Sequence, residues 1–534
     1  MRTLSGTFLR KLAMVTTLTT VAAMPAFGQE TFSPSQKADA EALYATHCAV
    51  CHNGDRLGGM GPALLPESLE KLRGKTLEGV ISKGRAATQM PAFETVLDQT
   101  DITLLGEWLR QPLAKIPGWE MADIAASHEV FVDPASLPAK PKFNSDPLNL
   151  FTVVEAGDHH VTILDGDSFS PLDRFQTRFA LHGGAKYSPD GRFVYLASRD
   201  GWVQMYDLYS LQMVAEIRVG LNTRNVAVSS DGRYLMAGNM LPHSLILLDA
   251  YDLRPLRLIP VAGDRGKTSR VSAVYTAPPR QSFIIALKDL PEVWEISYAD
   301  SPRPVYPGFV HNYEENMVEA LDVQHGPFPV RRIRLADGLD DFFFDQEYRY
   351  LIGAARNGRD GQVVNLNVGR KVADIALEGM PHLGSGITFE YQGRQVLATP
   401  HLKDSKISVI DMTTWETIKT IETLGPGFFT RSHENTPYAW VDVFFGPDKD
   451  AVHIIDKRTL EIVKTLRPEP GKVAAHVEFD RSGKHALLSI WDDDGAVIVY
   501  DADTFNELKR IPMKKPVGKY NVFNKITYSE GTSH

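Results

Sequence analysis

Only two cysteines occur in this 534-residue chain, and both lie in "THCAVCH" at positions 46–52. A lone Cys-x-x-Cys pair can close a disulfide, cycle as a redox couple or help to hold a metal. His52, directly after Cys51, selects another chemistry. Cys-x-x-Cys-His is the attachment sequence for c-type haem, in which two thioethers fix the porphyrin and the adjacent imidazole supplies one axial bond to iron. A second axial ligand is then expected from a loop some tens of residues on, commonly a thioether. "GRAATQMPAF" offers Met90, followed by Pro91 and Phe93. The competing reading of Met90 is a flexible side chain filling a gap in a core.

These ligands need short helices to hold them. "SPSQKADAEALYATH" opens with Ser33 or Ser35 as a helix cap and reads as helix up to the cysteine motif. "TDITLLGEWLRQP" puts Ile102, Leu105, Trp108 and Leu109 on one helical face, enough to cover a haem. In motif order and helix placement, residues 34–113 resemble a small all-α class I cytochrome c. Upstream, residues 1–28 read as a cleavable signal peptide. Arg2, Arg10 and Lys11 start it, Leu12 to Ala23 is apolar and threonine-rich, and Ala26-Phe27-Gly28 supplies small residues for cleavage. An uncleaved anchor is the alternative, but the run is short for a bilayer. Export implies a periplasmic protein. Removing the leader takes the net charge from −9 to −12, which argues against nucleic acid or anionic lipid as a partner. No later stretch is apolar enough to span a membrane.

Residues 114–148 read as a linker, with Pro117, Pro134, Pro138, Pro141 and Pro147 and little period. His128 within it reads as solvated or locally bonded. From 149 to 534 a repeat appears. Strand-like runs end in similar tails at Asp165, Asp207, Asp249, near Ile296, near Leu366, and at Asp411, Asp456 and Asp501. Successive tails are 42 to 47 residues apart, except for one interval of about 70 that holds an insertion at roughly 301–330. "SPDGRFVYLAS", "SSDGRYLMAG" and "DRSGKHALLS" place tight turns between strands inside the units. Such units are four-stranded blades, so the expected fold is a helical cytochrome c domain followed by an all-β eight-bladed propeller.

That pairing resembles the cytochrome cd1 family, whose propeller holds a second, non-covalent haem d1. The stretches carrying the resemblance are "HGGAKYSPDGRFVYLASRDGWV", "GLNTRNVAVS", "LDDFFFDQEYRYLIGAAR", "GMPHLGSGITF" and "KKPVGKYNVFNKITYSEGTSH". Within the family they are most similar to the branch that oxidises dihydro-haem d1. The resemblance implies a haem d1 or dihydro-haem d1 site with His182 as proximal iron ligand; read alone, His182 is a turn histidine. Haem d1 carries several carboxylates, which guanidinium groups bind bidentately. Arg199, Arg224 and Arg270 sit near strand ends of consecutive blades and form the expected set, although each alone reads as a surface charge. His382 matches a distal family position, and His433 is expected to face the same mouth. Either could be the sixth ligand or a general base, or simply a bonded loop histidine. Tyr520 is a further candidate, for chemistry or for packing the ring closed. Where nitrite-reducing members carry a second distal histidine, this chain has Asp340 or Asp341, either of which could orient a histidine or cap a turn.

The implied reaction converts a propionate side chain of the tetrapyrrole substrate to an acrylate, with electrons passing to haem c. An external electron acceptor and a nitrite reductase that receives the finished pigment are the implied partners. Two rival readings remain: a nitrite reductase, and a non-catalytic haem d1 carrier.

Overall fold

The computed structural model describes residues 32–58, 61–69, 72, 75–84, 90–113, 118–181, 184–306, 323–355 and 360–528. The proposed leader at 1–28 and His182 lie outside the described residues.

The first unit is helical: α1 (Pro34–His47), α2 (Ala49–His52), α3 (Pro66–Leu69), α4 (Thr76–Lys83) and α5 (Gln99–Leu109). Ser33 starts α1 through a capping box, its hydroxyl accepting from the Gln36 amide and the Gln36 side chain accepting from the Ser33 amide. Asp98 caps α5 by accepting from the Asp101 amide at 2.8 Å. Ile102, Leu105 and Leu109 of α5 are buried against Tyr44, Leu69, Leu77, Ile81 and Leu97, with Trp108 at the margin. Arg56 ties the loop after the cysteine motif to α5. Its guanidinium donates to the carbonyls of Leu64 (2.8 Å) and Leu109 (2.5 Å) and lies over the Trp108 ring.

Prolines hide the order in the segment that sequence reads as a linker. It forms α6 (Met121–Ala126) and a two-residue strand, Glu129–Val130, which pairs with Ala215 and Glu216 as a fifth strand on one blade. Both elements are too short for periodicity to reveal. Packing decides them: Ile124 enters the blade core beside Val214 and Ile217. His128 reaches the Asp252 carbonyl at 2.7 Å, so its partner is distant in sequence.

Eight antiparallel sheets follow. The C-terminal strand Pro516–Asn521 is the innermost strand of blade 1, pairing with Phe151–Glu155, so the two ends of the propeller close the ring. The eight tails mark the third strand, counted from the axis, of every blade. They repeat because the residue ending that strand folds the next turn with its own side chain. Asp165, Asp249, Asp411, Asp456 and Asp501 each accept a backbone N–H two residues on, as does Asn365. The insertion lies between the third and fourth strands of blade 4, Glu292–Ser297 and Val330–Arg334. Buried apolar clusters join successive blades, such as Val271, Phe283 and Trp294 with Met236 and Leu247. Among the described residues no helix is long and apolar enough to cross a membrane.

Candidate active site

The first half of the site is built around His52. Its ring is buried, and Nδ1 lies 2.7 Å from the Pro62 carbonyl. A carbonyl partner requires the proton on Nδ1, leaving Nε2 as the basic, iron-ready atom. Burial pushes the imidazole below its ordinary range, with the Pro62 bond opposing. A Cβ at Gly61 would come within 2.5 Å of the ring, so glycine there makes room for it. Cys48 and Cys51 are unbridged and partly exposed on the same turn. Burial raises the Cys48 thiol to about 11. Met90 stands where Gly84, at φ +68°, lies against its carbonyl so closely that a Cβ would clash. Two thiols and a neutral imidazole oriented by a carbonyl fit haem c.

The helical unit is fastened to the propeller beside this loop. Arg218 donates to the Leu57 carbonyl at 2.5 Å, and Asn222 to the Ser68 hydroxyl at 3.2 Å. Ala63 and Leu65 pack on Leu221 and Leu241. On the same side, a cleft of about 510 Å³ is lined by Gly84, His159, Arg178, Phe179, Leu181 and Lys515 among others. Leu181 immediately precedes His182, and Gly184, two residues after it, lies 3.1 Å (measured to a Cβ built on it) from the Tyr520 ring.

The second half is the propeller axis. His382 is partly buried in the loop before blade 6; its Nδ1 donates to the Phe428 carbonyl at 2.7 Å and its ring lies 4.3 Å from the Phe428 ring. Burial pushes this imidazole down, and Asp341 opposes that shift. Of the two aspartates left open by sequence, Asp341 faces this histidine. It accepts from Tyr275 at 3.2 Å and crowds Gly384. Asp340 instead approaches Lys288 at 3.7 Å.

Arg199 and Arg224 are brought together: burial, reinforced by the Arg224 charge, lowers Arg199 to about 9. Arg270 is not joined to them. Its fork grips Asp289 at 2.7 and 2.9 Å; burial pushes that carboxyl up, and the fork more than offsets this, to about 2. His433 is also placed elsewhere, which corrects the expectation that it shares a mouth with His382. The inner chain of blade 7 runs from Phe428, beside His382, to His433, whose ring is buried against Phe479 and Gly483 at the next turn. A strand spans about 3.3 Å per residue, so five residues put it at the far end.

Several buried groups at the axis escaped the sequence reading. His476, on the inner strand of blade 8, is 2% exposed and its Nδ1 has no hydrogen-bond partner among the described residues. Its ring lies 5.3 Å from Tyr520 and 4.6 Å from Phe429. Burial holds it well below the ordinary imidazole range, reinforced by Lys519 and Arg431. Arg431 is buried, with Nε unpartnered, and burial lowers it. Burial also lowers Lys186 to about 8 and Lys525 to about 7. The available signal was a charged or imidazole residue inside an apolar inner strand, as in "KVAAHVEFD". A desolvated cation is costly without an anion to meet it. The axis therefore has the chemistry to receive a polyanionic, planar ligand.

A c-type cytochrome unit docked on a propeller with a cationic axis defines a two-site redox protein, and comparison agrees. The family described as "Cytochrome D1 heme domain" matches residues 145–315 and 304–525, and "Cytochrome C oxidase, cbb3-type, subunit III" matches 35–109. The chain belongs to the cytochrome d1 heme-domain family. It is 55% identical to a dihydro-heme d1 dehydrogenase of Pseudomonas aeruginosa, over 93% of this chain and 96% of that protein. A nitrite reductase of Stutzerimonas stutzeri is 24% identical over 92% of this chain and 93% of its own. A solved structure, dihydro-heme d1 dehydrogenase NirN in complex with DHE, superposes with a TM-score of 0.84 at 54% identity, covering 91% of this chain and all of that one.

Proposed function

We propose that this protein is a dihydro-haem d1 dehydrogenase that oxidises a propionate side chain of its tetrapyrrole substrate to an acrylate. Two adjacent carbons each lose a hydrogen, releasing two protons and two electrons. Cys48, Cys51, His52 and Met90 would hold haem c, which would supply a one-electron acceptor that passes the electrons singly to an external acceptor. The substrate's carboxylates would meet Arg199, Arg224 and Arg431, with His382 as a candidate distal partner of its iron; the proximal role of His182 rests on the family resemblance alone. His476 takes a proton from carbon, because its buried neutral imidazole keeps a nitrogen unpartnered. Tyr520, whose hydroxyl burial raises to about 12, stays protonated and can pass a proton along.

The observation that carries this reading is the His476–Tyr520 pair set among buried cations at the ring axis. The nitrite reductase reading has less support here, since Asp341 stands beside His382 where nitrite-reducing members carry a second proton-donating histidine. The leader at 1–28 puts the reaction in the periplasm, with an external acceptor for the electrons and a nitrite reductase to receive the product.

Purified protein with haem c oxidised, mixed anaerobically with dihydro-haem d1, tests the reading. With substrate at no more than half an equivalent of protein, the expected result is a spectral shift to haem d1 with two haem c reduced for each haem d1 formed. Tight binding without conversion would make it a carrier, and nitric oxide formed from nitrite would make it a reductase.

A further inference from the structure

One buried carboxylate in blade 7 connects His382, in the loop before blade 6, with His476 on blade 8. Asp442 ends the strand Tyr438–Asp442 of blade 7 and is 1% exposed. Oδ1 accepts from the backbone N–H of Phe428 at 2.7 Å and of Phe429 at 3.0 Å. Oδ2 accepts from the backbone N–H of His476, on blade 8, at 3.2 Å. Each of those amides belongs to a residue that touches the chemistry. The Phe428 carbonyl holds Nδ1 of His382, and the Phe429 ring lies against His476.

His476 also needs such a tether. It sits at φ +56°, in a left-handed conformation that a residue with a β-carbon rarely adopts, where its strand slips register between Ala475 and Glu478. A backbone of this kind persists only where its surroundings over-determine it. Burial pushes the Asp442 carboxyl up to about 6, and the three N–H donors oppose that shift. At neutral pH it therefore presents two accepting oxygens to three donors.

We propose that Asp442 is the positioning residue of the active site, fixing His382 through Phe428 and His476 through its own amide in one rigid frame. This rests on the dehydrogenase reading and deepens it: the iron-facing and carbon-facing histidines are held at a set separation by a side chain that touches neither substrate nor haem. Misplacing a reacting group by about 1 Å can cost about a hundredfold in rate.

Asp442→Asn tests it, because the amide keeps the shape while one arm becomes a donor facing a donor. In the full holoprotein, affinity for dihydro-haem d1, read from the absorbance change on titration, is expected to stay within about threefold. Single-turnover conversion is expected to fall roughly thirtyfold or more, without recovery at saturating substrate. Asp411→Asn, which removes a buried carboxylate from an outer turn, lowers the melting temperature and leaves conversion unchanged. Conversion by Asp442→Asn within threefold of wild type overturns the proposal. So does a parallel loss of affinity and rate, the signature of a merely structural role. Should the variant not accumulate, hydrogen exchange of the wild type decides: the Phe428, Phe429 and His476 amides are expected to exchange together, and independent exchange overturns the frame. A wild type that never converts substrate sinks the dehydrogenase reading instead, and the exchange result distinguishes that failure from this one.

Discussion

The two halves of the site solve opposite problems. At the cytochrome end the pigment is tethered by bonds, and the protein supplies one oriented neutral imidazole and a small apolar core. At the propeller axis nothing is covalent and the ligand must also leave as product. There the chain gathers Arg199, Arg224, Arg431, Lys186 and Lys525, each from a different part of the sequence, and burial lowers Arg199, Arg431, Lys186 and Lys525. A permanent cofactor can be held by local geometry. A passing one is held by electrostatics that cost the empty protein something.

Replacing Cys48 and Cys51 by alanine removes the tether and breaks that contrast most sharply. Covalent haem disappears from denaturing gels, and haem-c-coupled conversion is lost while dihydro-haem d1 still binds. His476→Gln comes next. Removing a general base typically costs about 10²–10⁴ in rate, so single-turnover conversion falls in that range with affinity little changed, whereas His433→Gln, at the far end of its strand, stays within about twofold of wild type.

The guanidiniums separate by partner. Arg431→Gln should weaken substrate binding about tenfold to a hundredfold, the value of a charged hydrogen bond of about 1.5–3 kcal/mol, as read by spectral titration. Arg270→Gln should have little effect on affinity, because that fork serves Asp289.

The smallest effect is on stability against pH. Lys525 titrates near 7 in the fold, below the ordinary 10.5 of lysine. Between those values the unfolded chain holds the extra proton, so stability rises with pH across that window. Melting curves of the substrate-free protein should show this rise, and Lys525→Met should flatten it. Bound substrate should flatten it as well, because its carboxylates add negative charge beside the ammonium.

Legibility followed sequence distance. The cysteine motif, the Ser33 cap and the α5 face are each complete within a dozen residues, and all could be read directly. The blade tails were legible because most of these turns are folded by the aspartate, or in one blade the asparagine, that ends the strand. His382 could be singled out by its glycine-flanked loop, and Arg199 and Arg224 as neighbours of strand ends. His433 was misplaced because blade order says which blade a residue belongs to but not which end of the strand carries it. His476, Arg431 and Asp442 were overlooked because each lies in or at the end of an inner-blade strand and draws its meaning from another blade.

The amino-acid sequence alone therefore determined the haem tether, the helical unit and the eight-fold repeat, since all three rest on interactions between near neighbours. Only the tertiary structure decided which charges face the axis, which of Asp340 and Asp341 attends His382, and that Asp442 reaches both histidines. The reason is physical: a pocket at the centre of a closed ring takes one or two residues from each of many blades, and their desolvation and mutual fields exist only once Pro516–Asn521 has paired with Phe151–Glu155.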